Sequence, residues 1–226
     1  MKDLLHNPVY HALLSGDSRL SFGNDHVKFF DEEVSPFAGF ASEYDKGFNQ
    51  LYDILPSGRK ILYANPSFIY QQTGWQILHE IKGLQFVYEK GGEFLFDFAN
   101  IIPLNESHVE QMMQLAKLTK PGPFGKRTIE FGSYFGIFDK EKLIAMTGQR
   151  LHVERFTEIS AVCTHPDYQG KGYAYKLIQH QLQVILQEGQ QPFLHVREDN
   201  QRAIDLYQRL GFNISRNMNF SFLKRI

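Results

Sequence analysis

The sequence predicts a mixed α/β (α+β) protein built on a largely antiparallel sheet flanked by helices. Three observations lead there. From about residue 96 the patterns run strand, helix, several strands, helix, strand, helix, strands. Within that run, two strand-like stretches flank Asp139–Lys140–Glu141 as a hairpin. After a third, a glycine-containing turn joins the end of a strand to the start of a long helix.

Leu4 to Leu14 reads as a short helix, because Leu5, Val9 and Leu13 recur on one face. Val27 to Phe30 reads as a strand, closed by the break at Ser35–Pro36, and Glu43 to Leu55 as a helix stopped by Pro56–Ser57–Gly58. Lys60 to Ala64 is a further strand, and Trp75 to Tyr88 one or two more. Glu89–Lys90–Gly91–Gly92–Glu93 combines paired glycines with charges, which bury poorly, and is the expected linker. The chain therefore divides into an amino-terminal α/β module of unassigned role, residues 1–92, packed on a second domain, residues 93–226.

In the second domain Phe96 to Ile102 reads as a strand. Glu106 to Leu118 reads as a helix opened by Asn105 as N-cap and stopped before Pro121–Gly122–Pro123. Phe131 to Phe138 and Lys142 to His152 form the hairpin, and Phe156 to Thr164 the next strand. A long helix covers Gly172 to Glu188, with Gly189 as its stop. Phe193 to Val196 is a short strand, Asn200 to Leu210 a helix before Gly211, and Phe212 to Leu223 holds two last strand-like runs. There is no internal repeat and no low-complexity tract.

Composition narrows the partners. The 226 residues are 42% hydrophobic, enough to bury a core, and 24 Lys and Arg balance 25 Asp and Glu. Without a basic excess or stripe, nucleic acid is not the expected partner. The single cysteine, Cys163, forms no internal disulfide, and no Cys/His pairs carry zinc-ligand spacing, so no metal is expected. Polar residues interrupt the first twenty positions, leaving no signal-peptide core. No run approaches the ~18 apolar residues of a membrane helix. A soluble cytoplasmic protein, monomer or homodimer, is expected.

The segment that speaks chemically is Val162-Cys163-Thr164-His165-Pro166-Asp167-Tyr168-Gln169-Gly170-Lys171-Gly172-Tyr173-Ala174. Gly170 and Gly172 remove side chains where backbone N–H groups would approach a ligand, and the helix behind them offers unpaired donors and a positive dipole end. Such a turn suits a diphosphate, with Lys171 adding charge at the rim. A Walker loop is excluded because Lys171 is followed by Gly172, and a dinucleotide fingerprint because position 175 is Tyr175. A nucleotide-phosphate hydrolase is disfavoured accordingly.

Gln169-Gly170-Lys171-Gly172-Tyr173-Ala174 resembles the Gln/Arg-x-x-Gly-x-Gly/Ala signature of the GNAT superfamily of N-acyltransferases, and His165-Pro166-Asp167-Tyr168 before it is also typical there. Asn200 to Phe212 resembles the family's second motif, Asn-x-x-Ala-x-x-x-Tyr-x-x-x-Gly-Phe, in the same order and spacing. The resemblance covers roughly residues 96 to 226 and implies a GNAT-type fold. It also implies acetyl-CoA as donor and an amine of a small molecule or peptide as acceptor, with direct transfer between them. It places the diphosphate on the glycine turn and the pantetheine arm along main-chain groups of Val162, Cys163 and Thr164. Glu158 to Thr164 spans roughly 20 Å at about 3.3 Å per residue, comparable to that arm. A catalytically weak acyl-CoA sensor is the alternative reading.

Asn200 reads as a cap or a cofactor contact. Tyr207, seven residues on and so on the same helical face, resembles the family's tyrosine that protonates the departing thiolate; otherwise it is a core aromatic. Glu158, eleven residues before Gln169, resembles the glutamate base of histone-type members, and burial would raise its pKa into a useful range. The alternative is an edge carboxylate with a structural hydrogen bond, leaving His152, Glu154, His195 and Glu198 as further base candidates. Cys163 lies within a strand with no histidine placed to activate it, and is not expected to be a nucleophile. The order of the two modules is similar to the glycine N-acyltransferase-like branch, which would set the acceptor cleft between them. Pro121 to Gly125 is either an acceptor-side loop or an ordinary surface loop.

Overall fold

The computed structural model describes residues 3–89 and 98–226. In chain order its elements are α1 (Pro8–Leu14), β1 (Ser21–Gly23), β2 (Val27–Phe30), β3 (Ala38–Phe40), α2 (Gly47–Ile54), β4 (Lys60–Asn65) and β5 (Trp75–Tyr88). There follow β6 (Ile102–Pro103), α3 (Val109–Thr119), β7 (Phe135–Asp139), β8 (Lys142–Val153), β9 (Phe156–Thr164), α4 (Tyr173–Gln187), β10 (Gln191–Arg197), α5 (Gln201–Arg209) and β11 (Phe212–Arg225).

The caps explain the helix ends. The Asn7 side chain accepts from the Tyr10 N–H while Pro8 occupies the first turn of α1. Asn105 accepts from the Ser107 N–H and donates its own N–H to the His108 ring, opening a 3-10 turn that runs into α3. α3 ends on Lys120 in the left-handed region, immediately before Pro121. α4 buries Leu177, Ile178, Gln181, Leu182 and Ile185, the spacing of one helical face.

Eight strands form one sheet in the order β4-β11-β5-β10-β9-β8-β7-β6, and β1, β2 and β3 a smaller antiparallel one. Every pairing in the large sheet is antiparallel except β9 with β10. The expected linker from Lys90 onward and the 92/93 boundary lie outside the described residues. On either side of them, β5 pairs with β10 from Phe193 opposite Val87 to Arg197 opposite Gly83, and with β11 along its whole length.

The structure settles one open expectation and differs from several others. Trp75 to Tyr88 is one strand; Gly83 in its middle reflects close packing, since a Cβ there would sit 2.9 Å from the Phe220 ring and from the Val196 carbonyl. Phe212 to Arg225 is also one strand, whose apparent break is a register shift between Ile214 and Arg216. The hairpin starts at Phe135, because Thr128–Phe131 forms a 3-10 turn. Of the strand expected over 96–102, only Ile102 is paired among the described residues, with Pro103 beside it. β1 and β3, three residues each, are too short to show alternation.

Leu5, Val9 and Leu13 of the amino-terminal segment share one buried cluster with Met112, Leu115, Leu151, Phe193 and Met218. On the opposite face, α4 and α5 cover Phe86, Leu194 and Phe212. Polar staples hold the first segment down. The Asp17 carboxylate accepts from the His152 N–H at 2.9 Å and lies 2.7 Å from its Nδ1, and Asp3 pairs with Arg216 at 2.8 Å. Among the described residues, no helix is long and apolar enough to cross a membrane.

Because this core is shared, Leu13→Ala should cost about 2–5 kcal/mol of whole-protein stability in denaturant titration. Trp75 fluorescence and far-UV circular dichroism should report one coincident transition; separated midpoints would mean the first part folds by itself.

Candidate active site

The site begins where two strands part. β9 pairs in parallel with β10 only at Phe156, Thr157 and Glu158. Beyond Glu158, β9 stays with β8, and its register shifts where Met146 and Gly148 face Cys163 and Ser160, with Ala161 at φ 51°. A bulge of this kind bends the strand and leaves its β10-side main chain unpaired. The opening is a cleft of about 1370 Å³. Ile159 to Val162, His195, Asn200 and Tyr207 line its centre, and the end of α3 with Pro121 to Phe124 its roof. Phe37, Leu62, His79, Ile81, Phe220 and Phe222 form the far wall.

The glycine turn follows β9. A 3-10 turn over Pro166–Tyr168 leads into Gly170 at φ 78° and Gly172 at φ 80°, and Gly172 caps α4 with no side-chain acceptor for its N–H groups. A Cβ at either glycine would meet nothing within 4 Å. Packing therefore does not demand glycine here; the left-handed backbone and a clear approach to the helix N-terminus do. Gln169 accepts from Arg202 at 2.8 Å, joining the turn to α5, and Lys171 lies 5.0 Å from the Tyr168 ring centre. Tyr173 and Ala174 begin α4. The Thr164 hydroxyl oxygen is buried without a hydrogen-bond partner among the described residues. An open, donor-bearing turn beside an unpaired strand edge fits the diphosphate and arm of a coenzyme A thioester. The Cys163 side chain is buried, and burial pushes its thiol up to about 12, so it is no nucleophile.

Asn200 does cap α5, accepting from the Ala203 N–H at 3.2 Å, and it also lines the cleft. Tyr207 is at once a packed ring, against Phe86 and Phe212, and a cleft residue. Burial, then the neighbouring Cys163 and Glu158, raise its pKa, so the phenol keeps its proton.

Glu158 requires a correction. It is fully buried and absent from the cleft lining. Its carboxylate accepts from Arg150 Nε and Nη2, both at 2.9 Å, and lies 2.9 Å from His195 Nδ1. Burial alone would raise its pKa, but the Arg150 charge and the hydrogen bonds from His195 and Arg150 pull it down to about 2. The expected upward shift is thus reversed, because both partners come from neighbouring strands: Arg150 stands opposite Glu158 on β8, and His195 lies two residues beyond its β10 partner, Phe193.

Of the other base candidates, only His195 lines the cleft. His152 is held by Asp17, Glu154 is an exposed turn residue at φ 47°, and Glu198 is exposed after β10. Sequence reasoning missed Arg150 and Gln85. Gln85 is fully buried, stands opposite His195 and reaches its Nε2 at 3.0 Å. A charged residue inside the expected strand Lys142 to His152, four positions beyond the apolar run Leu143 to Met146, was the available signal for Arg150. The Pro121 to Phe124 segment lines the cleft, as do Phe37, Leu62, His79 and Ile81 from before residue 92. No cluster of His, Cys, Asp and Glu among the described residues could hold a metal.

The low Glu158 pKa carries a sign. Its stabilisation is fully present above the unperturbed value of 4.5 and is lost as pH falls from there through about 2. Glu158→Gln should cost about 3–5 kcal/mol at neutral pH by stranding Arg150, and should flatten the acid limb of stability measured against pH.

Comparison with known proteins shows the family. Residues 134–221 match the family described as FR47-like protein. The chain is 27% identical over 123 residues to N-alpha-acetyltransferase 30 of Schizosaccharomyces pombe, covering 50% of this chain and 82% of that one. It is 31% identical over 96 residues to thialysine N-epsilon-acetyltransferase of Sus scrofa, 42% of this chain and 50% of that one. A solved structure from Novosphingobium aromaticivorans, assigned to the GNAT acetyltransferases, matches at 30% identity and a TM-score of 0.92 over 100% of both chains. The chain therefore belongs to the GNAT family of N-acetyltransferases, enzymes that draw their acetyl group from acetyl-CoA.

Proposed function

We propose that the protein moves the acetyl group of acetyl-CoA directly to an amine of a small molecule or peptide whose apolar body rests against Phe37, Leu62, Phe220 and Phe222. The observation that carries this reading is the parting of β9 from β10, which joins an unpaired strand edge, Tyr207 and His195 in one cleft. The N–H groups of Gly170, Lys171, Gly172, Tyr173 and Ala174 would receive the diphosphate, with Gln169 shaping the turn. Main-chain groups of Val162, Cys163 and Thr164 would hold the arm as an added strand, and Asn200 would touch it from α5. When bound, the donor supplies a thioester carbonyl to the opening.

Tyr207, whose raised pKa keeps its O–H protonated, then donates a hydrogen bond to the departing sulfur and stabilises the thiolate. Glu158, locked at a low pKa, is too weak a base for an ammonium and serves instead to hold Arg150 and His195. The amine would react in its neutral form and release its proton to water in the cleft. The relatives' names cover both N-alpha and N-epsilon acetylation, which supports an amine acceptor in general and singles out neither type.

Thiol release from acetyl-CoA across an amine panel tests the reading; release no faster with any amine than with buffer would overturn it. Gly172→Glu should abolish acetyl-CoA binding in calorimetry by setting bulk and negative charge at the turn. Tyr207→Phe should lower kcat about a hundredfold while acetyl-CoA affinity holds, and equal turnover would remove the role of its O–H at the leaving sulfur.

A further inference from the structure

His195 closes a chain of buried side chains that crosses the sheet from β8 to the amino-terminal segment. Arg150 donates twice to Glu158, and Glu158 Oε1 lies 2.9 Å from His195 Nδ1. His195 Nε2 lies 3.0 Å from Gln85 Nε2, which also donates to the Leu5 carbonyl at 2.9 Å. Gln85 and Glu158 are fully buried, and the His195 side chain is 4% exposed.

Both ends of the chain fix its polarity. A carboxylate held ionised by Arg150 can only accept, so His195 Nδ1 carries a proton. The Leu5 carbonyl can also only accept, so the Gln85 atom facing it is the amide nitrogen. The second N–H of that nitrogen then meets His195 Nε2, which must present its lone pair. Turning the amide over would set Gln85 Oε1 against the Leu5 carbonyl oxygen. As oriented, Oε1 is buried without a partner among the described residues, a penalty accepted for the two donated bonds.

We propose, resting on the amine-acetylation reading above, that Gln85 is a positioning residue. Anchored by the Leu5 carbonyl, it holds His195 as the uncharged Nδ1–H tautomer on the wall that the acceptor amine approaches. The groups facing the ring are Glu158 from β9, with Arg150 of β8 behind it, Gln85 from β5, Phe220 from β11 with ring centres 5.3 Å apart, and Phe193 of β10 itself. Arg150 already balances Glu158. An imidazolium would therefore leave an uncompensated positive charge beside a nitrogen that gains positive charge as it attacks. Leu5 ties this control to the amino-terminal segment, which places residues far from both sequence motifs in charge of the acceptor side.

The test uses the full chain labelled with 15N-histidine, the His195 signals being identified by their loss in His195→Asn. At neutral pH the parent should show a protonated Nδ1 and a bare Nε2. A protonated Nε2 in the parent overturns the proposal, and this measurement needs no folded Gln85 variant. In Gln85→Glu an acceptor-only group faces Nε2 and should draw a proton there. KM for the amine should then rise about tenfold, with acetyl-CoA affinity unchanged. Gln85→Met, which offers Nε2 no donor, should keep the Nδ1 proton but let Nε2 take a proton in part, with a smaller loss. Nε2 protonation in Gln85→Glu with unaltered amine kinetics also overturns the proposal. Loss of acetyl-CoA binding by the parent itself would instead remove the transferase reading, leaving the tautomer result to stand or fall separately.

Discussion

The buried Glu158 carboxylate sits at the last residue pair before β9 and β10 diverge, and most of the molecule is arranged around its charge. An ionised carboxylate without exposure needs compensation, and here it comes from a bidentate guanidinium on one neighbouring strand and an imidazole from the other. These contacts clamp β8, β9 and β10 together at the root of the opening. Past the clamp, the bulge at Ala161 turns β9 aside, and the strands have no further hydrogen bonds to exchange. The cleft exists because pairing stops there.

The two faces of the sheet then take different tasks. On one, α5 brings Tyr207 to the opening, and the glycine turn leads from the end of β9 into α4. On the other, α3, the Pro121 to Phe124 loop and residues from the first part of the chain build an aromatic wall. That first part is no appendage. β5 lies between β10 and β11, and Leu5 reaches the site network through Gln85. Side chains on β5 and β10 alternate, so Gln85 and His195 lie on the face that carries Glu158 while Phe86 and Leu194 pack under the helices.

What was legible in the sequence had short range. The glycine turn announces itself because positive φ and open approach are properties of two residues, and the α5 motif because Asn200 and Tyr207 share a helical face by period alone. The Asn105 cap ahead of α3 was visible for the same reason. The fate of Glu158 was not legible. Its environment depends on which residues of β8 and β10 come to lie beside it, and register is set by the packing of all three strands. The reversed pKa shift is the chemical consequence.

The sequence by itself therefore determined the mixed fold, the turn suited to a diphosphate and the tyrosine two helical turns beyond its cap, since each follows from backbone propensity or local periodicity. Only the tertiary structure decided that Glu158 is held by Arg150 rather than free to take a proton. It alone brought Gln85 and Leu5 to His195, and Phe220 and Phe222 to the cleft. Those residues meet through long-range strand pairing, and a contact across 80 or more positions leaves no periodic trace in the chain.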